Sequence, residues 1–335
     1  MKKITYTLGF IFAFTTLLYS QQEPMRVEGE AQGTTYHITY FDKENRDFQS
    51  EIEKILADFD MSVSTYIPNS IISRINSNQP NVIVDKYFIA CFNKAKEVWK
   101  NTDGAFDPTV YPLVNAWGFG PGKKQKIEKT KIDSILKFVG FNLIKLKGNT
   151  IVKKDSRVAL DFNAFAQGYS VDVVSEFLNL KGINAYIVEI GGEVYAKGKK
   201  PNGDNWTIGI EKPIDNKTSD NPLKAIVKLE NLAIATSGNY RRFIIEDGIK
   251  YAHHIDPKTG YPTKNNLLSA SIFAKECISS DANATGVLVM GFEKAKEFLQ
   301  KHQELQAYLI YSDDKGNYQI FESPGLKSII SEVNE

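Results

Sequence analysis

The stretch Ser279-Ser280-Asp281-Ala282-Asn283-Ala284-Thr285-Gly286 sets a carboxylate and a hydroxyl four residues apart, and the apolar run Val287-Leu288-Val289-Met290 after it stops at Gly291. Capping serines, an apolar run and a closing glycine predict a helix that begins at Ser279 or Ser280. Positions i and i+4 are neighbours on a helix face, so Asp281 and Thr285 point the same way. Two readings are open. An acidic oxygen beside a neutral one at a positive helix end suits a hard cation shared with a phosphate. Equally, the aspartate complements the helix dipole and the threonine bonds its own backbone, and the octapeptide alone favours this second reading.

Just upstream, Tyr251-Ala252-His253-His254-Ile255-Asp256-Pro257-Lys258-Thr259-Gly260-Tyr261-Pro262 holds two of the four histidines beside a carboxylate. Histidine near a carboxylate is the commonest general acid–base arrangement. Leu232 to Phe243 ends a strand on Thr236-Ser237 and on Arg241-Arg242, a possible grip for phosphate or carboxylate. Downstream, residues 292–302 predict a helix, and residues 308–311 and 318–321 a closing hairpin.

Towards the N-terminus, Ala159 to Asp172 reads as a strand end, a small-residue turn through Asn163-Ala164, and a helix; Tyr186 to Tyr195 reads as a strand broken by Gly191-Gly192. Small residues let backbone groups approach a ligand, and a following helix N-terminus favours an anion. The spacing of a dinucleotide or Walker loop is missing. Residues 101–122, with prolines at 108 and 112 and the alternation Trp117-Gly118-Phe119-Gly120, read as a long structured loop of the kind that carries function. Helical spacing marks residues 47–60, 85–101 and 132–139; strand chemistry marks 33–40, 144–146 and 150–152, and 206–210 with 225–229 as a hairpin. Strands and helices mix without βαβ alternation, which makes the class α+β.

The whole chain has 335 residues, 42% hydrophobic, with 41 basic and 40 acidic side chains and a formal net charge of +1. No basic field is available for nucleic acid, so partners must be found through a specific site. Lys2-Lys3 followed by the short apolar run Leu8 to Leu18 and Ser20 reads as a secretory signal over residues 1–20. Residues 21–335 are then one domain, exported to the periplasm or cell envelope, with membrane association only through an uncleaved N-terminus. Cys91 and Cys277 are the two cysteines, too few for a disulfide scaffold, and read as core residues.

Six blocks occur together in one order: Gly33-Thr34-Thr35-Tyr36; Ser64-Thr65-Tyr66 through Ser73-Arg74-Ile75-Asn76; Asp103 to Pro112 with Trp117 to Gly120; Leu160-Asp161 to Gly168; His253 to Gly260; and Asp281 to Thr285. In this order they resemble the FAD:protein FMN transferases, the ApbE family. The resemblance implies two intimately associated lobes around a flavin cleft, in a fold related to the T-fold. It implies Mg²⁺-dependent transfer of FMN from FAD to a Thr or Ser of a target protein, with release of AMP. Mg²⁺ would be held by Asp281 and Thr285, with Ala284 close by and the Ala164 carbonyl opposite. His253 matches the general base, with His254 as the alternative. Gln32, Tyr66, Ala105, Phe106, Asp107, Asp161, Gln167, His254 and Ile255 match flavin-contact positions. Gln167 stands where the family commonly has Lys, and Gln32 where it has Met. The lipobox Cys of the lipoprotein members is missing. The family's flavinylation motif, Asp-x-x-Ser/Thr-Gly-Ala-Ser/Thr, is not in this chain, so the acceptor would be another protein. An FAD pyrophosphatase and a non-catalytic FAD-binding protein remain as alternatives.

Overall fold

A computed structural model describes residues 23–121, 127–213, 223–239, 243–246 and 249–333, and side chains outside 240–251. The secretory signal and Arg241-Arg242 lie outside the described residues.

The chain opens as a hairpin, β1 (Met25–Ala31) and β2 (Thr34–Tyr40), joined by Gln32-Gly33 with φ of 55° and 74°. Helices α1 (Gln49–Val63), α2 (Ile71–Asn76) and α3 (Lys86–Asn101) follow, the last capped by the Asp85 carboxylate on the Phe88 amide. The stretch 101–122, read as a loop, contains a 3₁₀ turn at Pro108–Val110 and a helix, α4 (Tyr111–Trp117). Proline at a first helical position starts a helix as readily as it breaks a loop, which is why the signal misled. Then come α5 (Lys129–Leu136), the small hairpin β3 (Ile144–Lys147) with β4 (Thr150–Lys153), and α6 (Ala166–Leu180).

The expected strand before α6 does not form. Its polar groups are met elsewhere: the Asn76 side chain donates to the Leu160 carbonyl and accepts from the Leu160 amide, and the Asp161 amide donates to Pro108. The single broken strand expected at 186–195 is a further hairpin, β5 (Tyr186–Ile190) and β6 (Glu193–Lys197). Gly191 and Gly192, at φ of 68° and 105°, make its two-residue turn, where positive φ at both positions matches strand twist.

The remainder is β7 (Trp206–Glu211), β8 (Leu223–Leu229), β9 (Leu232–Gly238), β10 (Phe243–Glu246), β11 (Ile249–Ala252), β12 (Leu267–Ala274), α7 (Cys277–Met290), α8 (Phe292–Lys301), β13 (Gln306–Ser312), β14 (Tyr318–Glu322) and β15 (Ile330–Glu332). An eight-stranded sheet runs β1-β2-β5-β6-β9-β12-β13-β14, with every pairing antiparallel. The α+β reading therefore holds.

Strand alternation divides the sheet's residues between two layers. Ile272, Ala274 and Leu309 face Ala284, Val287 and Leu288 of α7 and the apolar side of α8, while Phe273, Tyr308 and Ile310 face a three-stranded sheet, β15-β8-β7. Helices α1 and α6 cover the β1-β2-β5 end through Ile52, Val171, Val174 and Leu178. A further core joins α1, α2 and α3 to Phe162, Phe165, Ile278 and Ala282. Helix α7 thus has protein on nearly every side, as its burial pattern requires. Cys91 and Cys277 are free and fully buried.

Candidate active site

Helix α7 begins at Cys277, one turn earlier than its serines indicate, and has no cap from its own preceding side chain. The cap comes from α6, where the two carboxylate oxygens of Asp172 accept from the amides of Cys277 and Ile278 at 2.8 Å each. Asp281 is therefore not in the first turn of its own helix. Its Oδ2 accepts instead from the amide of Gly168 at 2.9 Å, in the first turn of α6. The dipole reading was right in kind but assigned to the wrong helix.

The two helices approach closely because Gly168 has no side chain: a Cβ there would lie 2.6 Å from both the Asp281 Cβ and the Cys277 carbonyl oxygen. Burial pushes the Asp281 carboxyl up to about 7, against the pull of the Gly168 amide, with the Asp172 carboxylate adding a little. Burial also takes Asp172 up to about 7, opposed by the Ile278 and Cys277 amides.

One turn beyond Asp281, the Thr285 hydroxyl donates to the Ala164 carbonyl at 3.3 Å and lies 3.3 Å from the Ser237 hydroxyl at the end of β9. Ala164 sits in the exposed turn just before α6, so its carbonyl is reachable. Ala284, next to Thr285, is fully buried in the α7–α8 core. Gly286 lets α7 close on the segment after α3, since a Cβ there would sit 3.0 Å from Thr102 and 3.4 Å from Phe106.

The two glycine-containing hairpin turns lie beside this helix pair, the Gly191 amide donating to Thr35. The Gln167 amide group packs against Gly191, where a Cβ would come within 2.8 Å of it. The Gln32 side-chain oxygen Oε1 accepts from the Ser170 hydroxyl on α6 at 3.3 Å. Both glutamines thus stand at the N-terminal end of α6, where sequence placed a ligand.

On the other side, Phe106 packs edge-on against Phe165 with centroids 5.5 Å apart. Asp107 is buried and its oxygens hold the loop, accepting from the amide and hydroxyl of Thr109 and from the Phe141 amide. Asp161 accepts from the Asn163 amide, and burial pushes its carboxyl up to about 6. Tyr66 is 55% exposed, a large ring available to a ligand face.

His253 is half-buried between the Phe119 ring and His254, at centroid distances of 6.3 and 3.8 Å. His254 is buried, and burial holds its imidazole well below the ordinary range, with His253 adding to the shift. A group held neutral in that way is a poor proton acceptor, which favours His253 as the base. Ile255 enters the core of α4 and α5 with Leu113, Trp117 and Ile132. The turn after it is pinned by Trp117 Nε1 on the Gly260 carbonyl at 2.9 Å and by Lys258 on Asp103 at 2.6 Å. The Thr102–Asp107 segment, with Ala105 at its centre, is the shared neighbour of this turn and of α7.

Thr285 thus meets the Ala164 carbonyl directly, Asp281 binds the start of α6 at Gly168, and Gln32 and Gln167 stand beside that start; Phe106, Asp107 and Ile255 are buried. Ser237 and Asp172 also contact α7, and neither is among the residues the ordered blocks point to. Ser237 lay in a stretch whose hydroxyls were noted, but nothing in the sequence pairs Asp172 with an amide a hundred residues away.

One desolvated carboxylate, one hydroxyl and one open carbonyl form a hard, all-oxygen donor set. Such a set suits Mg²⁺, which takes few protein oxygens and fills its octahedron with water and phosphate. No cluster of three or more His, Cys, Asp or Glu that could hold a metal occurs among the described residues.

The family profile described as the ApbE family matches residues 32–309. A relative from Haemophilus influenzae, an FAD:protein FMN transferase, is 37% identical over 94% of this chain and 95% of its own. The flavin transferase ApbE from Vibrio cholerae superposes with a TM-score of 0.83 at 33% identity, covering 92% of this chain and 99% of that one. The apo flavinyl transferase ApbE from Pseudomonas stutzeri gives 0.81 at 28% identity, over 92% and 96%. With six ordered blocks, a matching profile and an antiparallel α+β structure in agreement, the chain belongs to the ApbE family.

Proposed function

We propose that this protein is an exported, Mg²⁺-dependent FAD:protein FMN transferase that acts on a Thr or Ser hydroxyl of a separate target protein. One observation carries the reading beyond family membership: two neighbouring turns of α7 meet the start of α6, more than a hundred residues earlier, Asp281 at the Gly168 amide and Thr285 at the Ala164 carbonyl. Those oxygens would hold Mg²⁺, which when bound neutralises diphosphate charge. Tyr66 and the Ala105-Phe106-Asp107 and Asp161 segments bound the space for the flavin, in a cleft between lobes. Gln32 and Gln167 face the phosphates at the α6 N-terminus, where amides favour an anion.

The acceptor hydroxyl oxygen attacks the FMN phosphorus. The bond from that phosphorus to the bridging oxygen breaks, the electron pair leaving with AMP. His253 takes the hydroxyl proton. Nothing is oxidised or reduced, and the products are a protein phosphoester and AMP.

The test is incubation of the mature protein with FAD, Mg²⁺ and a target bearing the flavinylation motif. A covalently fluorescent target band that requires Mg²⁺ is the expected result. Intact FAD and no band would defeat the reading. AMP released at a rate that added target does not raise would instead identify a pyrophosphatase.

A further inference from the structure

The contact between α6 and α7 is reciprocal. Asp172 of α6 grips the first two amides of α7, and Asp281 of α7 grips the Gly168 amide of α6. Residues 168 and 172 are one turn apart, as are 277 and 281. The helices therefore run antiparallel and are tied twice, each by a buried carboxylate of the other. A second charged group secures the same helix start: Lys94 of α3, largely buried, reaches the Ser279 hydroxyl at 3.0 Å and Glu276 at 3.4 Å.

The Ala164 carbonyl belongs to the turn that opens α6, whereas Asp281 and Thr285 ride on α7. Their meeting depends on the register and spacing of the two helices, and α7 has no cap of its own to hold that register.

We propose that Asp172 is a positioning residue of the metal site: by anchoring the first turn of α7 on α6, it sets the distance at which the Ala164 carbonyl, Asp281 and Thr285 can share one Mg²⁺. This rests on the proposed function only for the identity of the ion. Asp172 itself touches neither ion nor substrate.

The experiment compares wild type, Asp172→Asn and Asp172→Glu, each loaded with FAD, by calorimetric titration of Mg²⁺ and by thermal melting. Asparagine keeps one acceptor oxygen but presents N–H donors to the second amide. Its Mg²⁺ affinity should fall by about tenfold, as when a group supporting a metal ligand is lost. FAD affinity without Mg²⁺ should stay within about threefold, and excess Mg²⁺ should restore most of the transfer rate. Glutamate keeps both oxygens but adds a methylene between the helices; its affinity should be weakened by at least about threefold. If Asp172→Asn does not fold, the glutamate variant decides.

A folded variant that melts lower yet binds Mg²⁺ as wild type does would reduce Asp172 to a plain helix cap and overturn the inference. Wild type that binds no Mg²⁺ at all would instead strike at the proposed function.

Discussion

Replacing Gly168 by Ala tests the geometry on which the site depends. The residue lies in the first turn of α6 without positive φ, so alanine suits its backbone and the perturbation is one of space. The new Cβ would stand 2.6 Å from the Asp281 Cβ, 2.6 Å from the Cys277 carbonyl oxygen and 3.0 Å from Asp281 Oδ2. Comfortable carbon contacts begin near ~3.5 Å, so the helices must separate by about 1 Å. The Thr285–Ala164 bond, already 3.3 Å long, cannot absorb that. Overpacking costs about 1–3 kcal/mol, against which alanine's helix preference returns up to ~1 kcal/mol. The net loss is about 0–3 kcal/mol, so the protein should remain folded. A misplacement of ~1 Å at a reacting centre costs about a hundredfold in rate. Transfer of FMN to a motif-bearing target, followed by gel fluorescence, should therefore fall by about that factor, while the melting temperature drops only a few degrees. Transfer within threefold of wild type at the same Mg²⁺ requirement would refute the claim that α6–α7 spacing sets the site.

Three further outcomes are expected. Asp281→Asn keeps an oxygen for the Gly168 amide and should fold, yet without the charge that holds the metal it should lose at least ~100-fold in transfer, from several kcal/mol of metal-derived stabilisation; wild-type rates in this variant would remove Asp281 from the metal site. His253→Ala should bind FAD normally in a fluorescence titration but fail to modify the target, by about 10²–10⁴ for a lost general base; undiminished transfer would move that role elsewhere. For His254, burial lowers the folded-state pKa, so its neutral form contributes stability that is present above the unfolded imidazole pKa and lost as pH falls below it. The raised carboxyls of Asp172 and Asp281 act in the opposite sense over the same window, so the readout is the difference: from about pH 7 to pH 5 the urea midpoint of wild type should fall relative to that of His254→Gln; equal slopes would contradict the buried neutral imidazole.

Local chemistry made several elements legible in advance. Helix α3 follows from its apolar spacing and its Asp85 cap, and the closing glycine of α7 from its positive-φ stop. The pairs β7–β8 and β13–β14 announce themselves as alternating strands joined by polar loops. Where the reading failed, a short-range signal had two meanings. Prolines before α4 start a helix instead of extending a loop, and Gly191-Gly192 reverses the chain between two strands instead of bulging one.

The ordered blocks name residues that the fold brings near the α6–α7 helix pair, among them Ala164, Gln167, Asp281 and Thr285, but the contacts between them were not visible in the sequence. Asp281 and Thr285 share a face because an α-helix repeats every 3.6 residues, and that much belongs to the local sequence. That Asp281 binds α6 and not its own helix, that Asp172 caps α7, and that the Ala164 carbonyl meets the Thr285 hydroxyl are products of packing. Helical periodicity constrains neighbours within a turn or two. Partners 105 to 121 positions apart are brought together only when the eight-stranded sheet and the two small-residue helix faces close on one another.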